Sequence, residues 1–198
     1  AVLNLSTVET LFPEKRAFFL EGSEIFRTIG GQLLYSRRIG KAAPTASLGA
    51  GEVLVDQPLA TDITAAAKYT AKMDGINFGV LGASVEPTRA TFRDANGMRR
   101  KREIAPLTNY GVARLQKSFD GSGSYIGGFA SYAHEAGLSG RDAVVGAVDG
   151  SLKSKDRSRI LDFAIVRSDA GLAGAMEAGW YAYLRGVKTW SNGWRVGI

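Results

Sequence analysis

The sequence predicts an all-β chain: an antiparallel meander of the outer-membrane β-barrel type, and part of a larger barrel. Three observations carry this. Glycine is abundant at 25 of 198 residues while proline numbers only 5, alongside 9 Phe, 7 Tyr and 3 Trp; Gly with aromatics and little Pro marks short turns between strands. Period-two alternation recurs after residue 63, as pleated strands require. Finally, Asp74-Gly75, Asn96-Gly97 and Asp120-Gly121 supply the residues that tight hairpins need.

Taken in order, residues 1–62 read as an entry segment with short strands and a long loop, and 63–198 as the barrel wall. Ala1 to Phe12 alternates loosely, and Pro13 ends or edges any strand there. Short strands are expected near 16–20, 24–28 and 32–38, with Gly22, Gly30 and Gly31 as turn points. Residues 41–62 read as a loop with at most a short strand at Val53–Val55, because Gly49, Gly51 and Pro58 disfavour a helix. The clearest strand is 63–73, with Ile63, Ala65, Ala67, Tyr69, Ala71 and Met73 on one face. Asp74-Gly75 folds it back onto 76–85. Residues 86–106 carry Arg89, Arg93, Arg99, Arg100, Lys101 and Arg102. They read as a solvated charged loop; the alternative is a hairpin about Asn96-Gly97, with arms at Thr91–Arg93 and Lys101–Ile104. Further strands are expected near 107–119, 123–134, 142–152, 158–168, 174–187 and 189–198, with turns at Ala170-Gly171 and Ser191-Asn192-Gly193. These are long for a soluble protein, whose strands average about 5–6 residues. The pattern still running at Ile198 is read as a barrel whose remaining strands lie beyond it.

Chemistry is sparse. With no Cys and one His, disulfides, thiol nucleophiles and a His/Cys metal cluster are out of reach. His134 stands at a strand end beside Glu135, the setting of a solvated surface residue. No G-x-S-x-G elbow or P-loop is present, so no catalytic residue, cofactor or metal is expected. Glu14 and Glu21 are two acids of the type glycoside hydrolysis needs, but Lys15, Arg16 and Arg27 beside them make a charge network the better reading. The expected ligand-binding or structural network is Glu14, Lys15, Arg16, Glu21, Arg27, Arg37 and Arg38. Trp180, Tyr181, Tyr183, Trp190 and Trp194 are expected as an aromatic girdle at a membrane interface. The net charge of +6 favours anionic partners such as lipopolysaccharide phosphates. Nucleic acid is not expected, since RNP and OB patterns are absent.

Several blocks carry a resemblance: Asn4-Leu5, Pro13-Glu14-Lys15-Arg16, Phe18-Phe19-Leu20-Glu21-Gly22, Phe26, and Tyr35-Ser36-Arg37-Arg38-Ile39-Gly40. With AAKYTAKMDG, PLTNYGVARL and VVGAVDG downstream, the chain resembles a bacterial family of unknown function. Its members place a family-9-like carbohydrate-binding β-sandwich ahead of a C-terminal region like an outer-membrane barrel. This chain resembles the first part of that C-terminal region. The resemblance implies a Gram-negative outer-membrane location, an upstream carbohydrate-binding-like domain as partner, and a link to saccharides.

The expected function is therefore a barrel segment for solute passage or surface ligand binding, saccharide-related, with no chemistry of its own. The alternatives are a soluble extracytoplasmic glycan-binding β-domain and a non-catalytic part of a glycan-active hydrolase.

Overall fold

The structure is a computed structural model that describes residues 12–119, 121–137, 141–172 and 175–197. Its frame is one antiparallel sheet of eight strands. The strands are β2 (Ile63–Met73), β3 (Ile76–Val85), β6 (Thr108–Phe119), β7 (Ser124–Glu135), β8 (Asp142–Lys153), β9 (Arg159–Leu172), β10 (Ala175–Thr189) and β11 (Arg195–Gly197). They lie in the order β11-β10-β9-β8-β7-β6-β3-β2. The sheet is all antiparallel and open, with β2 and β11 at its two ends.

A second sheet joins β1 (Val53–Asp56), β4 (Thr88–Arg93) and β5 (Arg99–Ala105). The β4–β5 hairpin continues the β3–β6 ladder. Val85 pairs with Thr108, and Thr88 pairs with Ala105 in the same register. Pro87 and Pro106 fall opposite one another in the gap. Neither has an N–H to give, so the ladder breaks there and resumes beyond. The segment read as a charged loop is thus a paired hairpin, closed by Asp94, whose Oδ1 accepts from the N–H groups of Asn96 and Met98 at 3.0 and 2.9 Å. Arg102 lies 4.0 Å over the Phe92 ring and pairs with Glu52 at 3.1 Å.

Strands β2 and β3 occupy the predicted residues. Farther on, β9 runs through Ala170 and Gly171 instead of turning there, because both pair with β8 and β10. At the other end β10 extends to Thr189 and β11 holds only Arg195–Gly197. Between them Trp190 N–H donates to Trp194 O and Gly193 N–H to Trp190 O, closing a tight turn at Ser191-Asn192-Gly193, where the turn was expected, within the span 189–198 read as strand. The alternation of residues 1–11 and the strand end at Ile198 lie outside the described residues.

The largest departure is in the entry segment. The three short strands expected there are absent. Residues 17–20 form one helical turn, α1 (Ala17–Leu20), and Ser23–Phe26 and Ser36–Arg38 form 3₁₀ turns. The reason lies in the apolar spacing. A strand would send the neighbours Ile25 and Phe26 to opposite faces. The 3₁₀ turn buries both, at 5% and 4% exposure, together with Phe19 and Ile39.

This segment lies flat on one face of the eight-stranded sheet. Its buried residues form a core with Leu81, Ala83, Val85, Val112, Phe129, Ala147 and Val166. Register places all of those on one side of β3, β6, β7, β8 and β9. The opposite side is open and apolar. Tyr69, Leu115, Val148, Ile165, Trp180 and Leu184 point from it at 52–72% exposure.

Gly79 on β3 makes room for the covering segment. A Cβ there would stand 2.6 Å from Ile25 Cγ2 and 3.1 Å from the Phe26 ring. Gly79→Val should therefore lift the 3₁₀ turn off the sheet, at a cost of about 1–3 kcal/mol, as overpacking does. Limited proteolysis within residues 12–40 and denaturant unfolding measure it; unchanged protection would contradict the packing.

Candidate functional site

The covered face and the segment lying on it form the candidate site. Three strands and the segment meet at one buried ion pair. Arg114 on β6 and Asp149 on β8 have fully buried side chains joined through both carboxylate oxygens, with Arg114 Nη2 donating to Oδ2 at 3.0 Å. β7 lies between them. Neighbouring strands are about 4.8 Å apart, so a long side chain spans the gap only if the middle strand leaves the way clear. Gly127 does: a Cβ there would fall 2.8–2.9 Å from the Arg114 guanidinium. Asp149 Oδ2 also accepts the backbone N–H of Ile29 at 3.0 Å, tying the covering segment to the pair. Arg114 Nε has no partner among the described residues.

Other groups of the face fasten the same segment. Tyr181 Oη donates to Gly30 O at 2.9 Å. Lys68 Nζ donates to the carbonyl oxygens of Phe18 and Glu21. Tyr110 Oη donates to Arg38 O at 3.3 Å. Lys72 and Glu24 are 3.7 Å apart.

A second hub sits inside the segment. Glu14 accepts from Arg16 Nε at 2.9 Å and Nη2 at 2.7 Å, from Ser36 Oγ at 2.7 Å, and from the N–H groups of Lys15 and Arg16 at 2.9 and 3.0 Å. Arg16 donates onward to Ile39 O at 2.6 Å and Ser36 O at 2.9 Å, and stacks 4.2 Å over the Phe19 ring. Arg37 donates to Pro13 O at 2.9 Å. The Arg16 guanidinium, aided by Ser36 Oγ and the two backbone donors, holds the Glu14 carboxyl well below the usual carboxylate range.

Two cavities flank this hub. One, of about 400 Å³, is lined by Phe19, Phe26, Leu33, Arg27, Gln32 and Ser23 among others, with Glu14 at its border. The other, of about 330 Å³, is lined by Glu14, Lys15, Arg16, Tyr35, Arg37, Arg38 and Lys41 among others.

The expected network is thus redistributed. Glu14, Arg16 and Ser36 form one cluster. Lys15, Arg37 and Arg38 border the second cavity, Arg27 the first. Glu21 lines neither and meets the sheet through its carbonyl, so it does not converge with Glu14 on a common space. Among the aromatics, Trp180 stands on the open face, but Tyr181 and Tyr183 project from the opposite, covered face, where Tyr183 lies against Gly30. Adjacent strand residues alternate sides, so Trp180 and Tyr181 cannot share a girdle. Trp190 and Trp194 flank the β10–β11 turn. His134 pairs with Asp142 at 2.5 Å across β7 and β8, exposed. Sequence reasoning missed Arg114–Asp149 altogether. The signal was present: each is the lone formal charge deep inside an otherwise small and apolar stretch, GVARL and AVVGAVDG.

The fold and site together define an antiparallel β-sheet domain with one face strapped over, an apolar core and a buried ion pair beneath the strap. The chain belongs to the DUF5916 family, a domain of unknown function, whose model matches residues 1–198. No curated protein and no solved structure matches it.

Asp149→Ala should cost about 3–5 kcal/mol, because it leaves Arg114 charged and buried without a counterion. Gly127→Ala should cost about 1–3 kcal/mol by pushing the guanidinium aside. Urea unfolding reads both, and near-neutral effects would deny the pair its structural role. A pH effect follows from Glu14. Its folded value is depressed, so its contribution is complete above the ordinary value of 4.5 and is lost as pH falls below that, toward the depressed folded value. Acid-induced exposure of the segment to protease should be steeper below pH 4.5 in the wild type than in Glu14→Gln.

Proposed function

We propose that this chain is a stretch of wall from an outer-membrane β-barrel of a Gram-negative bacterium, with its N-terminal segment lying inside as a plug. The observation that carries the reading is the apolar face left uncovered, while a charged pair lies buried among the core of the other. A soluble sheet hides apolar side chains and exposes charge. Here one row, Phe78, Leu115, Gly128, Val148, Ile165 and Ala182, is apolar across six strands on the uncovered side. The charged pair Arg114–Asp149 is sealed on the other side. A soluble monomer rarely shows a contiguous apolar face of this extent, whereas lipid-facing barrel walls are built so. Strands β6 to β10 hold 12–15 residues, more than the 9–11 or so that a tilted strand needs to cross a bilayer.

On this reading the chain performs no chemistry of its own. It binds a ligand or controls solute passage at the plugged face. The 400 Å³ cavity favours a saccharide: Phe19 and Phe26 offer apolar surface, while Ser23, Arg27 and Gln32 offer hydrogen-bonding groups. An upstream carbohydrate-binding-like domain would deliver the same class of ligand.

Expressed in a Gram-negative host, the protein should leave the outer-membrane fraction only with detergent, and dibromo-lipids should quench Trp180. Recovery as a detergent-free monomer would sink the reading. Ile165→Arg sharpens it. In a lipid-facing wall the charge costs about 2–4 kcal/mol near the bilayer midplane, and assembly should fall; on a solvated face it should be close to neutral.

A further inference from the structure

The β1–β4–β5 lobe carries charge that neither the plug nor the wall uses. We infer that the tip of this lobe is a docking site for the phosphate groups of membrane-lipid headgroups, with Arg93 and Arg99 as the pair that receives them. The inference rests on the wall reading only for the level at which those headgroups lie.

Register defines the face. Val53, Arg93 and Arg99 are partners in one row across the three strands, so their side chains stand on the same side. Directly opposed residues of an antiparallel pair hold their Cβ atoms about 4.5–5.5 Å apart, and like charges placed so repel. No acid shares this row. The rows nearer the main sheet are balanced: Thr91 stands between Asp56 and Lys101, and Arg89 faces Glu103. Asp94, the neighbour of Arg93, is taken up by the N–H groups of Asn96 and Met98 and, on the opposite face, by Arg100 at 3.3 Å. Arg93 and Arg99 thus make no ion pair among the described residues. Of the two acids outside those residues, Asp120 follows Phe119 at the far end of β6, and Glu9 alone could not neutralise both guanidiniums. Two forked donors this close match one phosphate, which has oxygens and charge enough for both.

Two observations make that phosphate a lipid's. The tip is apolar as well as cationic: Val53 in the same row is 63% exposed, and Met98 in the turn 58%. Cations beside exposed apolar side chains suit the boundary between headgroups and acyl chains. The lobe also stands at the right level. On the open face the apolar rows give way to Ser84, Asn109, His134 and Asp142, register partners across four strands. The β4–β5 hairpin continues the β3–β6 ladder beyond that polar row. Apolar belt, polar row and cationic tip follow the order of layers met on leaving the hydrocarbon of a bilayer.

The test floats the whole chain, carried from detergent, with vesicles of phosphatidylcholine alone and of phosphatidylcholine mixed with phosphatidylglycerol. A single-stranded oligonucleotide is the third probe. Arg93→Gln/Arg99→Gln removes the pair. Lys155→Gln/Arg157→Gln removes equal charge from the turn between β8 and β9, at the opposite end of the sheet. Binding gained from phosphatidylglycerol at low salt should fall about fivefold for each charge removed in the first variant. It should stay unchanged in the second and fade as salt is raised. No gain from the anionic lipid, or an equal loss in both variants, overturns the site. So does an oligonucleotide bound more tightly than the anionic vesicles and lost with Arg93 and Arg99. Retention on phosphatidylcholine alone reads the open face instead: its absence in all three proteins would tell against the wall while leaving the gain from anionic lipid as the measure of the lobe.

Discussion

The structure depends on one salt bridge that reaches across a strand. Arg114 and Asp149 belong to strands two apart, and they meet because Gly127 on the strand between them has no side chain. Three strands are thereby held in register by a single side-chain contact. A slip of one residue in β6 or β8 would send Arg114 or Asp149 to the other face, and a slip of β7 toward Ile126 would put a side chain in the path. A buried ion pair is a weak source of net stability, since desolvation consumes most of the attraction. Its value here is specificity: only one register satisfies both charges.

The same carboxylate reaches out of the sheet to the Ile29 N–H. That bond explains why a segment with little regular structure can lie flat on a sheet. Residues 12–40 hold one helical turn and two 3₁₀ turns, too little internal bonding to fold alone. Their order comes from the sheet: Asp149, Tyr181, Lys68 and Tyr110 satisfy backbone groups of the segment. In return Phe19, Ile25, Phe26 and Ile39 fill the apolar upper part of the face. The sheet supplies donors and acceptors that a lipid-facing or solvent-facing surface would not need. Sheet and segment are therefore one folding unit, despite their different textures.

Most of the sheet was legible in the sequence. β2 and β3 followed from strict alternation closed by Asp74-Gly75. The order of the later strands followed from repeated long segments between turn residues. What escaped had a physical cause in each case. The β4–β5 hairpin was masked by its arginines, because charge density hides the alternation of Ala90 and Phe92, which are buried against Ala46. The turn expected at Ala170-Gly171 failed because small residues also occur where strands pass closely. The entry segment was misread because apolar residues were counted without their phase: FFL and IF place apolar groups side by side, which a two-residue repeat cannot bury together. Arg114–Asp149 depends on a contact 35 residues long, and nothing local announces which lone charges will meet.

The Glu14 hub was identified as a charge network, but its geometry gives it a narrower meaning. One carboxylate accepts five hydrogen bonds from Lys15, Arg16 and Ser36. An acid so fully engaged is a poor proton donor, since every contact favours its ionised form. It is equally poor as a base, because the same contacts keep its proton affinity low. Its position between the two cavities therefore makes it a partition. On one side lies a cavity with Phe19, Phe26 and Leu33 in its lining; on the other lies a cleft of cations. A single residue that draws its hydrogen bonds from its own neighbours is how a short segment can present two chemically distinct surfaces. The segment's irregular backbone serves this: strands would have placed the same side chains on opposite sides of a sheet, not around two adjacent hollows.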